Sequence, residues 1–89
     1  MKVKVEVLIQ EDAGYSGKQR RVEQDRLVVL DVDREHRFLQ TFDFMLNGVD
    51  YEKYHGTKLA GKVIEISISA IAIGFGGRIR SSGSLLSVA

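Results

Sequence analysis

Apolar and polar residues alternate along most of this chain, so its dominant period is two, the period of a strand. In "KVKVEVLI" Val3, Val5, Val7 and Ile9 fall on one side and Lys2, Lys4 and Glu6 on the other, which predicts a half-buried strand. "EDAGYSGKQ" combines two glycines, a serine and charges and reads as a loop or wide hairpin turn. "RRVEQDRLVVLDVD" resumes extended structure and becomes continuously apolar from Leu27 to Leu30. After the polar turn "REH", "RFLQTFDFML" predicts a third strand, with Phe38, Phe42 and Phe44 facing the core and Thr41, Asp43 and Met45 on the other side. Turn signals at Asn47-Gly48 and His55-Gly56 bracket "VDYEKY", which has room for a single helical turn with Asp50 near its start. Tyr51 and Tyr54 are expected to pack this insert against the rest of the domain.

The fourth strand, "KVIEISISAIAI", changes parity along its length. Ile64, Ile66 and Ile68 alternate with polar residues, whereas Ile71 and Ile73 lie on the opposite phase. A regular strand cannot accommodate both sets, and a β-bulge near Ser69 to Ile71 would turn both inward. "GFGG" is then a hairpin tip, and "RIRSSGSLLSV" a last strand with a kink at Ser82-Gly83. Five strands and one short helical or irregular insert in 89 residues predict an all-β domain. Its expected form is a small, closed or nearly closed antiparallel barrel rather than a two-layer sandwich, because closure removes edges prone to aggregation. No repeat or linker divides residues 1–89, which read as a single domain.

Composition narrows the function classes. So short a chain leaves little room for an enclosed catalytic cavity. The absence of cysteine excludes disulfides and thiolate metal sites and suits a reducing, cytoplasmic setting. No apolar stretch approaches a membrane span, and the alternating N-terminus is unlike a signal peptide. Net charge is only +1, but its distribution is uneven. Lys18, Arg20 and Arg21 crowd "GKQRR", while Arg78 and Arg80 follow the glycine tip in a segment without acids.

Catalytic and metal chemistry find little support. His36 and His55 sit in predicted turns, where a solvated imidazole is the ordinary outcome. "DVDREH" gathers Asp31, Asp33, Glu35 and His36, yet an acid pair beside a turn is most simply a solvated strand end, and hard cations need more converging oxygens. Serine-elbow, EF-hand, dinucleotide and P-loop patterns are absent. The pattern predicts a non-enzymatic protein without metal or cofactor.

Single-stranded nucleic-acid binding needs only a basic groove and rings on which bases stack. Candidate phosphate contacts are Lys18, Arg20, Arg21, Arg26, Arg78 and Arg80; candidate stacking residues are Tyr15 and Phe75. Phe75, set among Gly74, Gly76 and Gly77, has three readings: stacking on a ligand, docking into a partner, or folding back as a plug on the barrel end. A protein-interaction module using this hairpin and "SLLSVA" is the alternative function.

The order of features resembles the single-stranded-DNA-binding (helix-destabilising) proteins of filamentous bacteriophages. The likeness rests on "MKVKVEV", the "GK" of the first hairpin followed by "RLVVLDVD", a "Y…G" insert, and "AGKVIEISISAIAIGFGG" before the last strand. It implies an OB-type barrel that binds DNA cooperatively with little sequence preference, in a phage, prophage or mobile-element setting of DNA replication. It also implies a two-fold symmetric homodimer formed largely through the distal hairpin. On this resemblance the family's basic residues fall on Lys18, Arg20 and Arg21, its tip phenylalanine on Phe75, and its late-strand arginine on Arg78 or Arg80. The family's tyrosines on the binding strands have no counterpart in "QRRVEQDRLVV", which leaves Tyr15 as substitute. Glu23 and Asp25 must face away from any bound phosphate.

Overall fold

The computed structural model describes residues 1–32 and 41–89, with Phe75 described in its backbone alone. Expectations that fall on Asp33, Glu35, His36 and Phe38 lie outside the described residues. The elements are β1 (Lys2–Asp12), β2 (Tyr15–Ser16), β3 (Arg21–Val22), β4 (Gln24–Asp31), β5 (Phe42–Asn47), α1 (Gly48–Tyr54), β6 (Val63–Ile73), a 3-10 turn (Phe75–Gly77) and β7 (Ile79–Val88). Five strands close a barrel in the order β1-β4-β5-β7-β6, and β2 and β3 form a separate two-stranded ribbon. The all-β, five-stranded, OB-like barrel with one short helical insert is therefore observed. It is not purely antiparallel: β5 runs parallel to β7, pairing Asp43 with Arg80, Phe44 with Ser81 and Met45 with Ser82. The chain must pass through α1 and the whole β6–β7 hairpin before β7 meets β5, and it arrives in the same direction.

The core follows the alternation. Val3, Val5 and Val7 of β1, Leu27 and Val29 of β4, Phe42, Phe44 and Leu46 of β5, and Ile64, Ile66 and Ile68 of β6 are all buried. Leu59 and Leu85 complete the cluster, and Tyr54 of α1 packs against it. Ile9 departs from its expected place: a register shift between Val7 and Ile9 reverses the parity, and Ile9 is 51% exposed. Side-chain ties hold the insert. The Leu85 N–H donates to Asp50 Oδ2 at 2.9 Å, and Gln10 accepts from the Leu59 N–H at 2.9 Å while donating to the Thr57 carbonyl at 3.2 Å.

The expected bulge of β6 is present, between Ile68 and Ala70 in the pairing with β7. Its consequence is the reverse of the expected one, for Ile71 is 51% and Ile73 73% exposed. β1 pairs with β6 only from Val63 to Ser67; beyond it β6 pairs with β7 alone, its Ala70–Ala72 lying opposite the β7 residues that meet β5. Among the described residues, β1 does not reach past Ser67 to cover this part of β6, and the two isoleucines stay exposed. Gly83 faces Ile68 at this corner, and a Cβ there would overlap the Ser67 carbonyl, lying 2.9 Å from its carbon. The kink expected at Ser82-Gly83 thus marks the close approach of two backbones.

Gly83→Ala should destabilise the fold by about 3 kcal/mol, the upper part of the range for overpacking, measured as a lowered urea midpoint. A wild-type midpoint would show that the corner can open without cost.

Candidate nucleic-acid interface

The outer surface of β4, β5, β7 and β6 is built from the residues that alternate with the core. Cross-strand register places Ala72, Arg80 and Asp43 in one row, Ala70, Ser82, Met45 and Arg26 in the next, and Asn47 with Gln24 beyond. The β2–β3 ribbon rises beside this surface, closed at its tip by the Gly17 N–H donating to the Arg20 carbonyl at 2.8 Å. Between them lies an open groove of about 260 Å³. Tyr15, Gln24, Met45, Asn47, Ile71, Arg80 and Ser82 line it. Tyr15 is 55% exposed, a ring with an open face. Among the described residues Arg80 is the one charged side chain lining the groove, and it has no ion-pair partner. Gln24 donates through Nε2 to the Ala13 carbonyl at 3.2 Å, which fixes the amide.

The other predicted cations are distributed differently. Lys18 and Arg20 lie exposed at the ribbon tip. Arg20 and Arg21 line a second groove, of about 390 Å³, on the α1 side of the ribbon with Glu23, Tyr51 and Glu52. Arg21 is held by Glu23 at 2.6 Å and stands 3.8 Å from Asp12. Glu23 also accepts from the Tyr51 hydroxyl at 3.2 Å, and Tyr51 stacks on the exposed His55 with ring centres 4.8 Å apart. Glu23 therefore faces the α1 side, and Asp25 is buried. Neither acid lines the Tyr15 groove.

Arg26 and Arg78 are drawn together by a residue that alternation alone assigned only to the outer side of its strand. The Asp43 side chain is 5% exposed, and Arg78 donates to its Oδ1 through Nε at 3.0 Å and Nη2 at 2.7 Å. Asp43 Oδ2 lies 3.1 Å from Arg26 Nε, and Arg26 Nη1 reaches Glu11 Oε1 at 2.7 Å. Burial pushes the Asp43 carboxyl upward, but the hydrogen bonds from Arg78 and the Arg26 guanidinium beside it outweigh that, so the group sits below the ordinary carboxylate value. Asp25 shifts the other way: burial raises it, only partly offset by a hydrogen bond from Gln10.

The glycine tip is a tight turn. The Gly74 N–H donates to the Arg78 carbonyl at 2.6 Å, and Gly76 and Gly77 adopt φ of 75° and 78°, a region that other residues enter at a cost. The Phe75 side chain lies outside the described residues. Asp31 is buried, not the solvated strand end the sequence suggested. Among the described residues no group of three or more histidines or acids is poised to hold a metal, and no helix is long and apolar enough to cross a membrane. Searches of family models, curated proteins and solved structures give no match to this chain.

The two carboxylates predict opposite effects on stability. Asp43, lowered by folding, contributes stability above the unfolded value near pH ~4 that is lost as pH falls through its folded value. Asp25, raised by folding, favours the fold most below the unfolded value and loses that contribution as pH rises through its folded value. At neutral pH, D43N should lower the urea midpoint and D25N should raise it. The same sign for both would contradict the assignment.

Proposed function

We propose that this protein is a non-enzymatic, sequence-tolerant single-stranded-DNA-binding protein that takes the strand across the β4–β5–β7–β6 surface. The observation that carries the reading is the Tyr15 groove, which combines an exposed ring, amides and hydroxyls with an arginine that has no ion-pair partner and, among the described residues, no acid. A base stacks on Tyr15, and its phosphate meets Arg80; Lys18 and Arg20 extend the basic path over the ribbon tip. Arg21, Arg26 and Arg78 contribute less, because carboxylates already hold them. Phe75 enters the proposal as a second stacking residue from sequence alone. Bases present a π-face whatever their identity, which is why such a site tolerates sequence.

The resemblance to filamentous-phage helix-destabilising proteins supports the same reading, and on it the proposed setting is a host cytoplasm. It also motivates a homodimer through the β6–β7 hairpin, where exposed Ile71 and Ile73 offer apolar surface. That same surface favours the second reading, a protein-assembly module that binds no nucleic acid.

Fluorescence anisotropy with a labelled dT oligonucleotide, beside a duplex of equal length, separates the two. The first reading expects binding that prefers the single strand. Tyr15→Ala should weaken it by about 1–3 kcal/mol if the ring stacks on a base. Arg80→Ala should flatten the log–log salt dependence by about 0.7, one phosphate contact on a single strand. No binding at low salt would leave the assembly reading alone.

A further inference from the structure

The cluster around Asp43 shares its outer surface with the groove: Asp43 is the register partner of Arg80, and Arg26 that of Met45. Two guanidiniums, Arg26 and Arg78, face two carboxylates, Asp43 and Glu11, so their formal charges cancel. The guanidiniums are still within reach of solvent, their side chains 30% and 36% exposed. Their charge, however, is already compensated, and part of their donor set is engaged. Arg78 directs Nε and Nη2 at one oxygen of Asp43, and Nη2 also lies 3.4 Å from Thr41 Oγ1. Arg26 is stretched between Asp43 and Glu11. A phosphate arriving beside Arg80 meets a neutral cluster where the sequence alone promises two more cations.

We infer that Asp43 withholds Arg26 and Arg78 from the nucleic acid and so sets the affinity and salt sensitivity of the interface. This inference rests on the single-strand-binding reading above. Part of the seam survives loss of this charge, because the Ser81 hydroxyl donates to the Asp43 backbone carbonyl oxygen at 2.8 Å. Asparagine at this position keeps that bond and the side-chain shape while removing the negative charge. The freed guanidiniums then have donors to offer. Asp43 is a positioning residue here, acting on DNA through the arginines it holds.

The experiment is a salt series of anisotropy titrations with a labelled dT oligonucleotide on the full chain and three variants, with circular dichroism to confirm each fold. Asp43→Asn should bind more tightly than wild type, by about fivefold at ~0.1 M salt for each phosphate contact recovered, with a log–log slope steeper by about 0.7 per contact. Glu11→Gln, at an exposed end of the cluster, should move both quantities the same way by less, since Asp43 still holds Arg26. Glu65→Gln removes an equal charge between Lys4 and Ser87, outside the cluster, and should behave as wild type. An unchanged slope in Asp43→Asn would overturn the inference. So would weaker binding, which would mean that Asp43 orients the arginines for contact instead. An equal gain in Glu65→Gln would reduce the effect to net charge and overturn it too. Should Asp43→Asn not fold, a fourth variant, Arg26→Gln, carries the test: a withheld arginine is lost with the slope unchanged, and a slope flatter by about 0.7 would mean that Arg26 contacts phosphate and would overturn the inference. If wild type does not bind at all, the single-strand reading itself falls and takes this inference with it, an outcome distinct from tight wild-type binding with no gain in the variants.

Discussion

Barrel closure rests on a short parallel seam between β5 and β7, over Asp43–Met45 and Arg80–Ser82. Parallel pairing is slightly weaker per residue than antiparallel pairing, and here it spans only three registered pairs. Polar contacts reinforce it. The buried Ser81 hydroxyl bonds the Asp43 carbonyl, and the Asp43 carboxylate grips Arg78 just ahead of β7 and Arg26 on the neighbouring β4. One residue thus ties three strands. Without the seam, β7 would leave β5, and the surface that brings Tyr15 beside Arg80 would not exist.

The same residue joins stability to charge presentation. A carboxylate that is 5% exposed is tolerable because two arginines compensate it. That compensation removes those arginines from the population of free cations on the same face. Among the described residues, this face is therefore less basic than the sequence suggests. Of the predicted cations among the described residues, Arg80 stays free in the groove with the exposed Tyr15, and Lys18 and Arg20 stay exposed at the ribbon tip. The acids of the first hairpin stay clear of it, Glu23 turned to Arg21 and Tyr51 and Asp25 buried.

How much of this was legible in the sequence depended on distance along the chain. Period-two alternation located Val3, Val5, Val7, Phe42, Phe44, Ile64 and Ile66 correctly in the core, because that signal is local. It failed at Ile9, where the bulge after Val7 reverses parity without any glycine to announce it. The parity break in "ISISAIAI" did reveal the second bulge, but not that β1 stops covering β6 at Ser67, beyond which Ile71 and Ile73 are exposed. The parallel seam was invisible, since it joins residues 37 positions apart, as between Asp43 and Arg80. For the site, residue types sufficed to nominate Tyr15 and Arg80, which the fold brings into one groove across 65 positions of chain. Residue types could not foretell that Arg26 and Arg78 are engaged by Asp43, 17 and 35 positions away. Gln24, Asn47 and Met45 entered the groove lining unnoticed, because amides and a methionine on a strand carry no motif.

The central claim is spatial: single-stranded DNA lies in the Tyr15–Arg80 groove. The most direct test is to map amide chemical shifts while a dT oligonucleotide is added to the isotopically labelled protein. The account predicts that the largest shifts fall on Tyr15, Gln24, Asn47, Ile71 and Arg80, with Val63 and Ser87 on the far stretch of β6 and β7 unmoved. Shifts concentrated on the α1 groove around Tyr51 and Glu52, or absent altogether, would contradict it.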